Sequence, residues 1–298
     1  MKRYLPSVVV GVLSTVLAVL NTIAWAIPIY ILSIAKICCP PGRAKRLLRD
    51  AAVRAAEFWV VGNNLNLALM GTTEWEVRGL ENLRSDGSYL VTANHQSWAD
   101  VVVLQKVLGR RIPFLRFFIK KELIWVPILG LAWKGLDFPF MQRFSREYLA
   151  KNPQMRGRDL EATRALCAQL AGQPIAIMSF LEGTRFTTAK RQRQDAPYRH
   201  LLNPKAGGAA FVMNAIGDQF DATLDVTIAF PSGRPTMWEF VSGQCTRVIV
   251  EVSQQPLPRR LIDGDYAQDA NVRETARSWV RALWERKDER LTELLDDR

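Results

Sequence analysis

Residues 92–102 read TANHQSWADVV, which places His95 five positions before Asp100 in a chain with 2 histidines. A neutral imidazole takes a proton near physiological pH, and a carboxylate bonded to one ring nitrogen decides which nitrogen is left to do so. On one regular helix, residues five apart sit about 140° around the axis and do not meet. The run GSYLVTAN reads as a turn and a strand, however, and SWADVVVLQKVLG has helical period ending at a glycine. His95 therefore falls in a strand-to-helix turn and Asp100 in the first turns of the helix, from which the carboxylate reaches back. Such a pair is the orienting half of a catalytic triad without its own nucleophile, so a substrate hydroxyl would attack. A histidine at a strand end and an aspartate near a helix start are also commonplace, and the spacing alone does not choose.

Two more strand ends carry charge. IAIMSFLEGTRF, residues 175–186, is an apolar strand followed by Glu182, Gly183, Thr184 and Arg185. Glycine permits close backbone approach, Thr184 and Arg185 offer donors to a phosphate, and Glu182 is expected to hold a substrate hydroxyl. GLDFPFMQR ends a further apolar stretch at Arg143. Each has an ordinary reading as a turn residue or a surface ion pair. Together they place a base beside an anion pocket at the ends of strands, where α/β sheets build sites.

The elements that must position these groups follow from periodicity. Strands are expected at 73–78, 88–93, 116–120, 136–141, 174–180, 223–230 and 246–252, with helices at 97–108, 146–150, 158–171, 205–216 and 268–294. The fold class is α/β, a central mixed sheet flanked by helices, with the last helix as a cover. Ahead of it, Leu5–Ala35 contains no charged residue, long enough as a helix to exceed the ~30 Å hydrocarbon core. A cleaved signal peptide, a tilted span and a helical hairpin bent at Asn21 and Pro28 compete for this run. No cleavage site stands out before Lys36, so a retained anchor is expected, with spanning or dipping left open. Pro40, Pro41 and Gly42 then break the chain, and 46–70 reads as an amphipathic helix. The division is thus 1–70, membrane-anchoring and amphipathic helices, and 71–298, one catalytic domain.

The formal net charge is +11. Beside an apolar anchor this suits an anionic membrane surface or phosphorylated substrates better than nucleic acid. Lys2 and Arg3 precede the apolar run while Lys36, Arg43, Lys45, Arg46, Arg49 and Arg54 follow it, which puts the domain on the cytoplasmic side, a bacterial inner membrane being the expected one. Cys38, Cys39, Cys167 and Cys245 have no metal-ligand spacing, and no metal is expected.

NHQSWAD, FMQR and FLEGTR, in that order, resemble the glycerolipid acyltransferase family that includes the 1-acyl-sn-glycerol-3-phosphate acyltransferases. Asn94, His95 and Asp100 match its first block, Phe140 and Arg143 the second, and Phe180, Glu182, Gly183, Thr184 and Arg185 the third. VTIAFP, Val226–Pro231, is a looser match to a fourth, and Lys205 with Gly207 resembles a feature of one branch. One departure is Leu181 where the family has proline, which would alter the turn and the acceptor preference.

The resemblance implies that His95, oriented by Asp100, deprotonates the sn-2 hydroxyl of a lysophosphatidate, which attacks the thioester of acyl-CoA or acyl carrier protein. It implies that Arg143, Glu182, Gly183, Thr184 and Arg185 bind the glycerol phosphate, with Lys205 a further phosphate contact, and that no cofactor is required. The expected partners are an anionic phospholipid membrane, a lysophospholipid acceptor and the thioester donor, without nucleic acid. The alternatives are another lysophospholipid as acceptor, or a non-catalytic membrane lipid-binding or remodelling factor.

Overall fold

Apolar runs without polar alternation belong in strands covered on both faces. YLVTA, AIMSF and ATLDVTIA are such runs, and they occupy the middle of the sheet, almost wholly buried. The computed structural model describes residues 5–141, 172–266 and 268–296. Two helices come first, α1 (Ser7–Cys38) and α2 (Arg43–Met70). The sheet domain then runs β1 (Glu74–Arg78), β2 (Tyr89–Ala93), α3 (Ala99–Leu108), β3 (Leu115–Phe117), β4 (Ile119–Lys120), α4 (Leu129–Gly135) and β5 (Phe140–Met141). It continues with β6 (Ala176–Phe180), α5 (Thr188–Arg193), α6 (Ala206–Ile216), β7 (Ala222–Ala229), α7 (Met237–Val241), β8 (Arg247–Gln255), α8 (Arg259–Asp263) and α9 (Ala270–Asp296).

Among the described residues the main sheet has the order β1-β8-β7-β2-β6-β3, parallel throughout except for the antiparallel pair β7–β8. Alternation of side chains across the sheet divides the core. Leu90 and Ile177 face α6 and α9, where Met213, Val280 and Trp284 lie. Tyr89, Val91 and Met178 face α3, where Val103, Leu104 and Val107 lie. The covering role of the last helix follows from Val272, Ala276, Val280, Leu283, Trp284 and Leu291, one buried stripe at helical spacing. Trp284 Nε1 donates to Leu202 O at 3.0 Å, so the buried indole keeps its hydrogen bond.

The expected strands at 116–120 and 136–141 both change. The first breaks at Phe118: β3 joins the main sheet beside β6, while β4 pairs with β5 as a separate two-stranded sheet, Ile119 opposite Phe140. Most of the second is a turn after α4, with Asp137 in the left-handed region, and only Phe140–Met141 is extended. Apolar residues alone do not separate a short buried helix from a strand. The helices expected at 146–150 and 158–171 lie outside the described residues.

The helix α1 is continuous through Asn21 and Pro28, so neither bends it into a hairpin. Asn21 is used across the helix pair instead: its Nδ2 donates to Trp59 O and Asn63 Oδ1, both at 2.9 Å. Trp59 Nε1 donates to Thr22 Oγ1 at 3.0 Å, and Asn66 Nδ2 donates to Ser14 O at 2.8 Å. An apolar helix pair tied by polar side chains satisfies those groups without water. Both ends of α1 also touch the sheet domain. A Cβ on Gly11 would come within 2.7 Å of the Trp238 ring, and Lys36 Nζ donates to Gly135 O at 2.6 Å and to the Asp137 carboxylate at 2.8 Å.

Candidate active site

Parallel pairing of β2 with β6 sets Ala93 opposite Phe180. His95 and Glu182 each lie two residues beyond that pair, so the two loops meet at the carboxyl ends of the strands. Asn94 fixes the exit of β2: its Nδ2 donates to Ile228 O at 2.8 Å and its Oδ1 accepts from Ile228 N at 2.9 Å. Phe186 N donates to His95 O at 2.8 Å, which holds the loop from the other side.

The Asp100 carboxylate reaches back to the imidazole, as the strand-to-helix turn allows. Its Oδ2 lies 2.8 Å from His95 Nδ1 and accepts from Gln96 N at 2.6 Å and Ser97 N at 2.8 Å. Burial pushes the Asp100 carboxyl up, and the His95 ring and the two amides pull it down. An accepting carboxylate demands the proton on Nδ1, which leaves Nε2 with its lone pair. No described residue hydrogen-bonds to Nε2. Phe180 stacks on the imidazole at 4.0 Å and 13°, fixing the plane of the ring.

His95 opens onto a cavity of about 700 Å³. Its walls include Phe117, Phe138, Met178 and Phe180 from the sheet domain, Trp25 and Ile29 from α1, and Trp59 from α2. Gly183, Thr184 and Arg185 line the same cavity. Gly183 has φ 68, the left-handed conformation that lets the chain turn from Phe180 into the charged residues. The Arg185 guanidinium lies over the Trp98 ring at 4.2 Å and pairs with no described carboxylate. Thr184 is held by Lys190, whose ammonium donates to Thr184 Oγ1 at 2.8 Å and to Arg185 O at 2.9 Å.

Other expected residues fall elsewhere. Glu182 is corrected: it is fully buried and does not line the cavity. Its two oxygens accept from His95 N at 2.8 Å and Leu202 N at 3.2 Å, so it joins the histidine loop to the segment before α6. Burial pushes its carboxyl up to about 8. Lys205 is exposed at the start of α6, outside the cavity lining, with its backbone N–H donating to Leu181 O at 2.7 Å. Leu181, which stands where the resemblance has proline, is buried in the core with Leu201 and Ala209 and makes no contact with the cavity. Arg143 lies outside the described residues, and Phe140 pairs with Ile119.

Sequence reasoning missed Gln96, Trp98 and Arg234. Gln96 Nε2 donates to His200 O at 3.0 Å, and its Oε1 accepts from Arg234 Nε; that guanidinium lies over Phe186 at 3.9 Å. Trp98 carried a local signal, an aromatic three residues after the histidine. Arg234 carried none, being 138 residues from Gln96 in the chain.

The Acyltransferase family matches residues 74–231, more than half of the chain. An uncharacterized acyltransferase of Saccharomyces cerevisiae is 24% identical over 235 residues, 68% of this chain and 57% of that protein. Lysocardiolipin acyltransferase 1 of Danio rerio is 28% identical over 162 residues, 49% and 38% of the two chains. Human 1-acyl-sn-glycerol-3-phosphate acyltransferase alpha is 30% identical over 111 residues, 37% and 34% of the two. The chain spans about half the length of the curated relatives it matches. The crystal structure of the 1-acyl-sn-glycerophosphate acyltransferase PlsC from Thermotoga maritima superposes with a TM-score of 0.55 at 17% identity, covering 96% of this chain and 98% of that one, a likeness of fold. The matched segment starts at β1 and ends beyond β7, taking in His95, Asp100 and Arg185, and on that match the chain belongs to the Acyltransferase family.

Proposed function

We propose that the protein moves a fatty acyl group from acyl-CoA, or from acyl carrier protein, to the sn-2 hydroxyl of lysophosphatidate, giving phosphatidate. The observation that carries this reading is a large, mostly apolar cavity lined by both an Asp-oriented histidine and an arginine that pairs with no carboxylate among the described residues. An apolar wall suits acyl chains, and a guanidinium suits a phosphate monoester. His95 Nε2 takes the proton of the sn-2 hydroxyl while its oxygen attacks the thioester carbonyl. The tetrahedral adduct then collapses, the carbon–sulfur bond breaks, and the imidazolium returns the proton to the leaving thiolate. Asp100 stabilises the imidazolium between those events.

Membrane residence is part of the proposal. The outward face of α1 carries Ile27, Ile31, Ile34 and Ile37, each more than half exposed. Because α1 is held to the sheet domain near both ends, at Trp238 and Asp137, it supports a helix lying in the bilayer along the domain better than an upright span. The positive charge following α1 then favours the cytoplasmic, anionic leaflet.

A second acceptor class has its own support, since one relative is named for lysocardiolipin and another, from yeast, is a 2-acyl-1-lysophosphatidylinositol acyltransferase. A panel of labelled lysophosphatidate, lysophosphatidylglycerol, lysophosphatidylinositol and lysocardiolipin, each with acyl-CoA and with acyl carrier protein, decides both acceptor and donor. Transfer is expected fastest to lysophosphatidate; absence of transfer to every acceptor from either donor overturns the catalytic reading. Arg185→Gln should raise KM for lysophosphatidate about 10- to 100-fold, the worth of a charge-assisted hydrogen bond, with smaller change for an acceptor whose phosphate is a diester. Equal KM for wild type and variant would remove Arg185 from the phosphate site.

A further inference from the structure

Among the described residues, the segment from the end of β4 into the first turn of α4 presents an uncovered apolar face. Lys121–Trp125 forms a single tight helical turn with no buried residue. Trp125 is 85% exposed, Leu131 62% and Ile128 42%. A tryptophan so open to water, beside exposed leucine and isoleucine, marks an interaction surface more than a stray surface residue. Ile128 also sits at φ 66, a left-handed conformation that a β-branched residue adopts only when its surroundings impose it. Those surroundings are two backbone hydrogen bonds, Leu129 N to Pro127 O at 2.7 Å and Gly130 N to Val126 O at 2.9 Å, and the Tyr30 hydroxyl of α1 bonded to Ile128 O.

Three facts say what covers this face. Its inner side is the cavity wall, since Leu123, Ile128 and Leu129 line the cavity that His95 opens onto. Its neighbour is α1, tied to it through Tyr30 and, past α4, through Lys36 to Gly135 and Asp137, so the exposed isoleucines of α1 and the Trp125 face adjoin. Its charge is basic: Lys120 and Lys134 are exposed at its flanks, and Glu122 is the single acid between residues 119 and 136. Aromatic and aliphatic tips ringed by lysines match the boundary of an anionic bilayer.

We propose that Leu123–Leu131 is a second membrane-contacting element, an interfacial lip that enters the bilayer at Trp125 and through which the single-tailed acceptor passes from lipid into the cavity. The passage rests on the lysolipid reading above; the insertion of Trp125 does not. Trp125 itself lines no part of the cavity, so its substitution leaves the chemistry alone.

The test uses the full chain in vesicles of phosphatidylcholine and phosphatidylglycerol, with phospholipid brominated high on the acyl chain as quencher. The emission assigned to Trp125 is the difference between wild type and Trp125→Phe. That difference should be quenched by the bromolipid; a difference spectrum unaffected by bromolipid overturns insertion. Burial of Trp125 between two copies of the chain gives the same negative quenching together with cross-linking between protomers, and equally overturns it. Trp125→Glu, checked for fold by circular dichroism, should raise KM for lysophosphatidate presented in vesicles about tenfold, about 1.4 kcal/mol of lost partitioning. Its kcat on a short-chain acceptor in solution should stay at the wild-type value. An unchanged KM in vesicles overturns the passage. Wild type that acylates nothing removes the acyltransferase reading, and the quenching result then still decides whether the lip inserts.

Discussion

Replacing His95 by alanine is expected to lower the rate of acyl transfer about a thousandfold while the chain stays folded. General base catalysis contributes about 10²–10⁴, and the variant has no other group at the position of Nε2. The fold should tolerate the change for a local reason. What ties the loop together is backbone: His95 N donates to Glu182, His95 O accepts from Phe186 N, and Asp100 keeps the amides of Gln96 and Ser97. What is lost is the ring stacked on Phe180 and its bond to Asp100. Asp100→Asn tests the orienting role separately. Its amide oxygen keeps the place of Oδ2, held there by the Gln96 and Ser97 amides, so it still accepts from Nδ1–H but carries no charge to stabilise the imidazolium. A smaller loss than for His95→Ala is expected, and the double variant should be little worse than His95→Ala alone, because the two act as one unit. Single-turnover rates beside near-ultraviolet circular dichroism measure both points. A His95→Ala protein that acylates lysophosphatidate within tenfold of wild type would sink the mechanism, whatever the fate of Asp100.

Glu182→Ala should destabilise the protein by about 2–6 kcal/mol, because it strands two buried backbone donors at about 1–3 kcal/mol each. The donors are His95 N and Leu202 N, one on each side of the carboxyl group. Glu182→Gln should cost less, since its carbonyl oxygen still accepts from His95 N while its amide faces Leu202 N and cannot accept. The same burial makes stability depend on pH. The folded carboxyl is pushed up to about 8 from 4.5, so between those values the folded chain holds a proton that the unfolded chain has released. Stability therefore falls as pH rises from about 4.5 towards 8, with a slope of up to about 1.4 kcal/mol per pH unit from this group, and levels off above 8. Urea unfolding at pH 5, 6, 7 and 8 compares the slopes. The difference in unfolding free energy between wild type and Glu182→Gln should shrink as pH rises; parallel lines would mean that Glu182 ionises in the fold as it does in the unfolded chain.

Glu182 also marks where sequence reasoning stopped. Its place in an FLEGTR stretch suggested a substrate contact, and the acid, glycine, threonine and arginine look equally available on paper. The loop after β6 divides them. Gly183, Thr184 and Arg185 line the cavity, while Glu182 points under the histidine loop, 87 residues away in the chain. Lys205 likewise stands beside the site in the chain's logic and outside the cavity in space. Strand placement was more legible. The expected strands at 88–93, 174–180 and 223–230 correspond to β2, β6 and β7 within a residue or two, because apolar content and flanking turns are local. Residues 116–120 and 136–141 were not, since whether Phe118 continues a strand depends on which neighbour each half pairs with.

By itself, then, the amino-acid sequence determined the α/β class, the apolar N-terminal helix, and a histidine and aspartate spaced to meet across a strand-to-helix turn. All three rest on interactions within a few residues: hydrophobic period, chain-breaking prolines and glycines, and a carboxylate able to reach back five positions. Tertiary structure alone decided that α1 runs unbroken along the sheet domain, that its tryptophan and isoleucine help wall the cavity, that Arg185 lies against Trp98, and that Glu182 serves the fold. Those outcomes depend on pairs far apart in the chain, Asn94 with Ile228 at 134 residues and Lys36 with Asp137 at 101 among them. No local pattern encodes such a pair, because each exists only when strand register and helix packing have brought its two halves within hydrogen-bonding distance.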